Sequence, residues 1–154
     1  MRIAVLSDTH TDNIEYLPRK VVDALSKVDL IIHAGDFTDI QLLTDLKQLK
    51  EVRAVHGNMD SRQLKSVLPM KEIVETEGKR IGITHGSGAP WGIEARVRKV
   101  FESDRIDIIV YGHSHRSQNK VIGDILFFNP GKTADSFGII TIDGEAEGEI
   151  VSSR

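Results

Sequence analysis

The sequence predicts an α/β fold in one domain spanning residues 1–154. Short β-branched apolar runs alternate with helix-periodic segments through the first half. Turn dipeptides separate short β runs in the second half. Five of the apolar runs each end in a residue able to hold a metal ion, as strands do when their ends meet at a common point.

Arg2 to Ser7 is apolar and β-branched and reads as a buried strand. Ile14, Leu17, Val21, Ala24 and Leu25 share one helical face and predict the first helix. Leu30 to Ala34 is a second strand, and Leu42, Leu43, Leu46 and Leu49 mark a second helix. Asp39 stands where it can cap that helix, which starts near Ile40. Val52 to Val55 is a third strand. Such alternation implies right-handed βαβ crossovers and a parallel sheet. Farther on, Ile73 to Thr76 and Arg80 to Thr84 flank Glu77-Gly78, a hairpin turn. Gly92 to Phe101 reads as a helix with Ile93, Val97 and Val100 on one side, and Ile106 to Tyr111 as a strongly buried strand. Lys120 to Ile122, Ile125 to Phe128, Phe137 to Ile142 and Glu149 to Val151 are short β runs, with turns at Gly123-Asp124 and Asp143-Gly144. βαβ units first and antiparallel hairpins later leave open a mixed sheet or two packed sheets with helices outside.

Composition narrows the classes. The hydrophobic fraction of 40% and charged fraction of 28% are those of an ordinary globular domain. A net charge of -3 argues against an extended nucleic-acid surface, which needs clustered Lys and Arg. There is no cysteine, hence no disulfide and no thiolate metal site. No apolar run approaches membrane-spanning length, and the opening RIAVLSD meets a charge too soon for a signal peptide. The expectation is a soluble cytoplasmic protein with no membrane partner. Assembly into a homo-oligomer stays open.

The five endings carry Asp8 and His10, Asp36, Asn58, His85, and His113 with His115. Within Asp8-Thr9-His10 and His113-Ser114-His115 the candidate ligands are two residues apart, and at an extended strand end such residues point the same way. Gly35 and Gly57 allow sharp turns before Asp36 and Asn58. Two carboxylates, one amide and four imidazoles exceed the needs of one ion and suit two divalent ions sharing a carboxylate. Nitrogen and oxygen donors without sulfur suit Mn, Fe, Zn, Co or Ni, with Mn preferred. Two such ions, two Asp side chains and a bridging hydroxide leave a net positive site that attracts a phosphate oxygen. In two-metal hydrolysis the ions lie roughly 3.5–4 Å apart and clamp the attacking and leaving oxygens.

These residues, together with Gly35-Asp36 and Asp39, Gly57-Asn58-Met59-Asp60, Thr84-His85-Gly86 and Gly112-His113-Ser114-His115, resemble the calcineurin-like metallophosphoesterase superfamily. The likeness spans roughly residues 1–142, and the Asn129-Pro130-Gly131 turn resembles the small single-domain branch. That branch includes phosphodiesterases and the retromer metallophosphoesterase-like subunit. The resemblance implies an αββα sandwich of two mixed β-sheets flanked by helices. It assigns Asp8, His10, Asp36 and His115 to one ion and Asp36, Asn58, His85 and His113 to the other. It also implies hydrolysis of small phosphate esters by the bridging hydroxide, with Asn58 near substrate and Asp60 orienting its neighbours. Many relatives place His, an acid or phosphoryl contact, where Met59 stands, which weakens the expectation of vigorous hydrolysis of esters with poor leaving groups. Lys132 also departs from the small residue common after that turn.

A non-catalytic or weakly catalytic metal-binding scaffold of the retromer-subunit type finds support in Met59 alone, and amide or lactone hydrolysis is disfavoured by the positive site. His56 could contact substrate, with a structural role favoured. His33 reads as a buried strand residue, at most a partner to a ligand carboxylate. For Trp91 packing is the safer expectation, and Glu94 to Glu102 reads as a solvated helix face.

Overall fold

The computed structural model describes residues 1–154. Strands β1 (Arg2–Leu6), β2 (Leu30–His33) and β3 (Val52–Ala54) are joined through helices α1 (Arg19–Leu25) and α2 (Ile40–Leu49). Helix α3 (Arg62–Val67) then leads to β4 (Lys71–Thr76) and β5 (Lys79–Thr84). Helix α4 (Ile93–Val100) follows, then β6 (Ile108–Val110), β7 (Gln118–Ile122), β8 (Ile125–Asn129), β9 (Ser136–Asp143) and β10 (Glu145–Ser152). One sheet has the order β10-β9-β1-β2-β3 and the other β4-β5-β6-β8-β7.

Every residue of β1 from Ile3 to Leu6 is fully buried, because both faces of its sheet are covered. Side chains alternate across a strand. Ile3 and Val5 therefore face Ile81, Ile83, Ile108, Val110 and Phe128 of the other sheet, while Ala4 and Leu6 face Val21, Leu25, Leu42 and Leu46 of the helices. On the far side Ile93, Val97 and Phe101 of α4 cover Ile109, Tyr111 and Phe127. The layers are helix, sheet, sheet, helix, as the resemblance implied. Each fully buried aliphatic side chain contributes roughly 1.5–3 kcal/mol, and the inter-sheet and helix-facing layers, with 15 buried apolar residues each, share that contribution about equally.

Three expectations change. The first helix does not run from Ile14 to Leu25: Pro18 forces Leu17 into extended backbone, leaving a 3-10 turn at Ile14–Tyr16 before α1. The second half is not all hairpins, since β5, β6 and β8 pair in parallel and α4 forms one more crossover. The last strand reaches from Glu145 to Ser152, paired along its whole length with β9. The Asp39 cap is present, its side chain accepting from Gln41 N–H. No helix is long and apolar enough to cross a membrane.

Candidate metal centre

The five endings all lie at the carboxyl ends of parallel strands: β1, β2 and β3 in one sheet, β5 and β6 in the other. They meet where the two sheets face each other. Asp8 N–H donates to the Gly35 carbonyl at 3.0 Å, and His10 N–H to the Asp36 carbonyl at 3.2 Å, tying the first two loops together. Gly112 N–H donates to the His85 carbonyl at 3.0 Å, and His113 N–H to Asp8 Oδ2 at 3.1 Å, joining the second sheet to the first.

The backbone differs from the extended strand ends that the two-residue spacing suggested. Asp8, His10, Asp36, His113 and His115 all have positive φ, at 51°, 47°, 60°, 67° and 57°. The left-handed region costs a residue with a Cβ roughly 1–2 kcal/mol. The convergence of Asp8 with His10, and of His113 with His115, therefore comes from strained turns beyond the strands. Strain concentrated on this many polar side chains marks a functional site. The two glycines also divide their roles. Gly35, at φ 98°, makes the turn, whereas Gly57 leaves room, because a Cβ there would overlap the Asp36 carboxylate.

Asp8 Oδ1 lies 3.3 Å from His115 Nε2, and 3.9 Å from both His10 Nε2 and His85 Nε2. Asp36 Oδ2 lies 3.3 Å from His85 Nε2 and 3.8 Å from His10 Nε2. Asn58 Oδ1 is 3.1 Å from His85 Nε2. The ligand atoms of Asp8, His10 and His115 fall within 4.8 Å of one another, as do those of Asp8, Asp36 and His85. Asp8 thus belongs to both triads, and Asp36 also faces His10 and His85. His113 stands at the flank, its ring edge-on to His85 at 5.3 Å between centroids and its Nε2 donating to the Gly88 carbonyl at 2.9 Å.

Asp8 Oδ1 and His10 Nε2 are buried and have no hydrogen-bond partner. A buried polar atom left unpaired costs about 1–3 kcal/mol. Two such orphans aimed at a cluster of carboxylates and imidazoles fit a cation. Burial alone would raise the Asp36 carboxyl. The hydrogen bond and charge of His85, the Met59 N–H and the charge of His10 outweigh it and hold the group below the ordinary carboxylate range. Burial would lower His85, but Asp36, Asp8 and the Ala34 carbonyl keep it above the usual imidazole value. Its Nδ1 donates to that carbonyl at 2.7 Å, leaving Nε2 facing the carboxylates.

Several residues around the centre hold it in shape. Asp60 is buried, and its carboxylate accepts from Gly57 N–H at 2.7 Å, Asp36 N–H at 3.0 Å and Thr38 N–H at 2.9 Å. Both oxygens are occupied, so Asp60 orients the two ligand-bearing loops. Ser7 Oγ donates to Asp8 Oδ2 at 2.7 Å, fixing which oxygen stays free. His33 is fully buried and accepts from Gly35 N–H at 3.1 Å, which puts its proton on Nε2, beside Thr9 Oγ1 at 3.1 Å. Thr9 in turn donates to the Asp36 carbonyl at 3.3 Å. Sequence reasoning missed Ser7, Thr9 and Arg96. Ser7 and Thr9 flank Asp8, the only signal that could have flagged them. Arg96 of α4 donates to the carbonyls of Ser87 at 2.8 Å, Trp91 at 3.2 Å and Ala89, clamping the loop whose Gly88 carbonyl holds His113. Trp91 is 78% exposed and does not pack; the clamp grips its backbone and leaves the ring in solvent.

His56 is half-buried, and with Asn58, Lys65, Met70 and His85 it lines a cavity of about 290 Å³ beside the centre. Met59 is 59% exposed.

Comparison with known proteins places this geometry. A model of the calcineurin-like phosphoesterase superfamily domain matches residues 1–142. A probable metallophosphoesterase of Methanocaldococcus jannaschii is 43% identical over 133 residues, covering 85% of this chain and 67% of the relative. A phosphodiesterase of the same organism is 28% identical over 148 residues, covering 86% of this chain and 84% of the relative. Among solved structures, a Thermotoga maritima protein has a TM-score of 0.78 at 33% identity and covers 98% of both chains. Vps29 of Entamoeba histolytica complexed with Zn has a TM-score of 0.75 at 24% identity over the full length of both chains, a likeness of fold alone.

Proposed function

The chain belongs to the calcineurin-like phosphoesterase superfamily, and from that premise we propose that it is a metal-dependent phosphodiesterase acting on small phosphate esters. The single observation that carries this reading is the pair of buried, unpartnered ligand atoms, Asp8 Oδ1 and His10 Nε2, facing Asp36, His85 and His115. Asp8, His10, Asp36 and His115 would hold one ion, and Asp36, Asn58, His85 and His113 the other. The donor set suits Mn first, with Ni, Fe, Zn and Co as substitutes. Ions bound there supply Lewis acidity toward a phosphoryl oxygen and make water acidic enough to yield a nucleophile near neutral pH.

The chain's own residues do the rest. Asp60 and Ser7 keep the carboxylates aimed, and the His85 Nδ1–H bond to the Ala34 carbonyl presents Nε2 as donor atom. Asn58 stands between the centre and the neighbouring cavity, at the position to contact both ion and substrate. His56, on the wall of that cavity, is a substrate contact. Met59 has no proton to give, so departure of a poor leaving group goes unassisted and activated diesters are the best substrates. The phosphodiesterase relative from M. jannaschii supports the diester over the monoester.

The test is hydrolysis of bis(p-nitrophenyl) phosphate. Activity is expected with Mn, lost in chelator and restored by adding Mn back, with two equivalents of metal per chain. The second reading, a weakly catalytic metal-binding scaffold, is favoured by Met59. It wins if the metal-loaded protein hydrolyses no diester, or if less than about one equivalent of metal binds.

Arg96 offers a further check. Arg96→Ala should free the Gly88 carbonyl and let the His113 ring choose either tautomer. Metal affinity is then expected to fall about tenfold or more, as for other residues that orient a metal ligand. Calorimetric titration with Mn measures this directly. Unchanged affinity would show that the clamp has no part in preparing His113.

A further inference from the structure

The cavity beside the centre shares Asn58 and His85 with it, and the rest of its lining differs in chemistry. Met70, just before β4, forms an exposed apolar floor, 72% accessible. Lys65, on the last turn of α3, is the one lysine or arginine in the wall. Its Nζ donates to the Asn58 backbone carbonyl at 3.1 Å, and no carboxylate pairs with it. The positive charge is therefore held against the backbone of a candidate ligand without a counterion. The backbone that carries it is fixed: Thr84 Oγ1 donates to the Met70 carbonyl at 3.3 Å, and His56 N–H to the Pro69 carbonyl at 3.0 Å.

A thioether floor suits a flat ring, since sulfur packs well against aromatic edges. A lysine ammonium is a point charge suited to a carboxylate or phosphate oxygen. The volume of about 290 Å³ lies at the bottom of the range for small-molecule pockets, room for one ring-sized arm and too little for an extended strand of nucleic acid. A phosphoryl group held by Asn58 and His85 would direct one of its ester arms into this space.

We propose that this cavity is the subsite for one ester arm of the substrate, and that it selects phosphodiesters whose arm is a ring-sized group carrying a second anion, read by Lys65 over Met70. The proposal rests on the phosphodiesterase reading above for the identity of the reacting group.

The chain has three methionines, so the Met70 methyl is easily resolved by NMR. Zn-loaded protein is titrated with 4-carboxyphenyl phosphate and with phenyl phosphate while the Met70 methyl shift is followed. The carboxylated ring is expected to move that signal and to bind about tenfold more tightly. Lys65→Met should bring the two affinities together, Lys65→Arg should restore the preference, and Lys65→Glu should reverse it. The same order is expected in the ratio of kcat/KM for p-nitrophenyl 4-carboxyphenyl phosphate over p-nitrophenyl phenyl phosphate.

Equal affinities in the native protein, or a preference that survives Lys65→Met, would overturn the subsite. If either holds while bis(p-nitrophenyl) phosphate is still hydrolysed, the subsite fails and the phosphodiesterase reading stands. If the Met70 signal reports the preference but no diester is hydrolysed, the activity fails and the binding site stands.

Discussion

Asp36→Asn is expected to lower kcat/KM for an activated phosphodiester by about a thousandfold or more and to reduce bound metal below two equivalents per chain. The choice of Asn isolates the charge. Asp36 sits at φ 60°, where Asn is tolerated and Ala is strained, so the turn after Gly35 survives the change. Asn Oδ1 can still accept from Met59 N–H, now at 2.8 Å. What is lost is Oδ2, the atom facing His85 and His10. An amide nitrogen there offers a donor where two ions need an acceptor. The His85 pKa should fall in the metal-free variant, because Asp36 supplies its largest upward influence. Imidazole NMR of the chelated protein measures that drop independently of activity. Hydrolysis within about tenfold of the native rate would remove Asp36 from the centre and with it the shared-carboxylate arrangement.

Much of this site was legible because polar residues at strand ends stand out against β-branched runs. Asp8, Asp36, Asn58, His85 and His115 do converge, and Asp39 does cap α2. What the sequence hid is how they converge. Spacing of two residues suggested alternation along an extended strand, but positive φ at Asp8, His10, His113 and His115 produces the approach. No residue type reports such strain, which the surrounding hydrogen bonds impose. Helix α3 was missed for a related reason. It has six residues and one buried apolar side chain, Leu64, too few for a periodic signal, and only the Ser61 cap, accepting from Leu64 N–H, announces it. The parallel pairing of β6 with β8 was equally silent, because the chain passes through β7 between them, and the hairpin turn at Gly123-Asp124 conceals the longer-range partner. The outer supports of the centre, Thr9 and Arg96 among them, act through backbone carbonyls that sequence patterns do not mark.

Acidification should expose the cost of one of those supports. His33 is fully buried, stacked on Phe37 at 3.5 Å between ring centroids, and its pKa is pushed down to about 3 by burial first and by the charge of His85 second. The folded protein therefore keeps His33 neutral while the unfolded chain protonates it near the ordinary value of 6.5. Between those limits the unfolded state binds more protons, so stability falls as pH falls, with a slope approaching about 1.4 kcal/mol per pH unit. The whole window is worth on the order of 5 kcal/mol, a large share of the roughly 5–15 kcal/mol that holds a domain together. The other two shifted groups at the centre act elsewhere. His85 is raised, so its contribution is complete below pH 6.5 and is lost only as pH rises through its folded value. Asp36 is lowered, so its contribution is lost only as pH falls through the carboxylate range near 3.8. From pH 6.5 down to about 4.5 neither adds much slope, and His33 is left as the main cause at this centre. His33→Asn keeps an acceptor for Gly35 N–H but gives up the Thr9 contact and the Phe37 stack. It should be less stable at pH 7 by about 2 kcal/mol and nearly flat across the window. Urea unfolding of chelated protein at half-unit pH steps compares the two curves, which should approach each other toward pH 4.5. Parallel curves would mean that His33 is protonated inside the folded protein and that the hydrogen-bond chain from Gly35 through His33 and Thr9 to Asp36 is wrongly drawn.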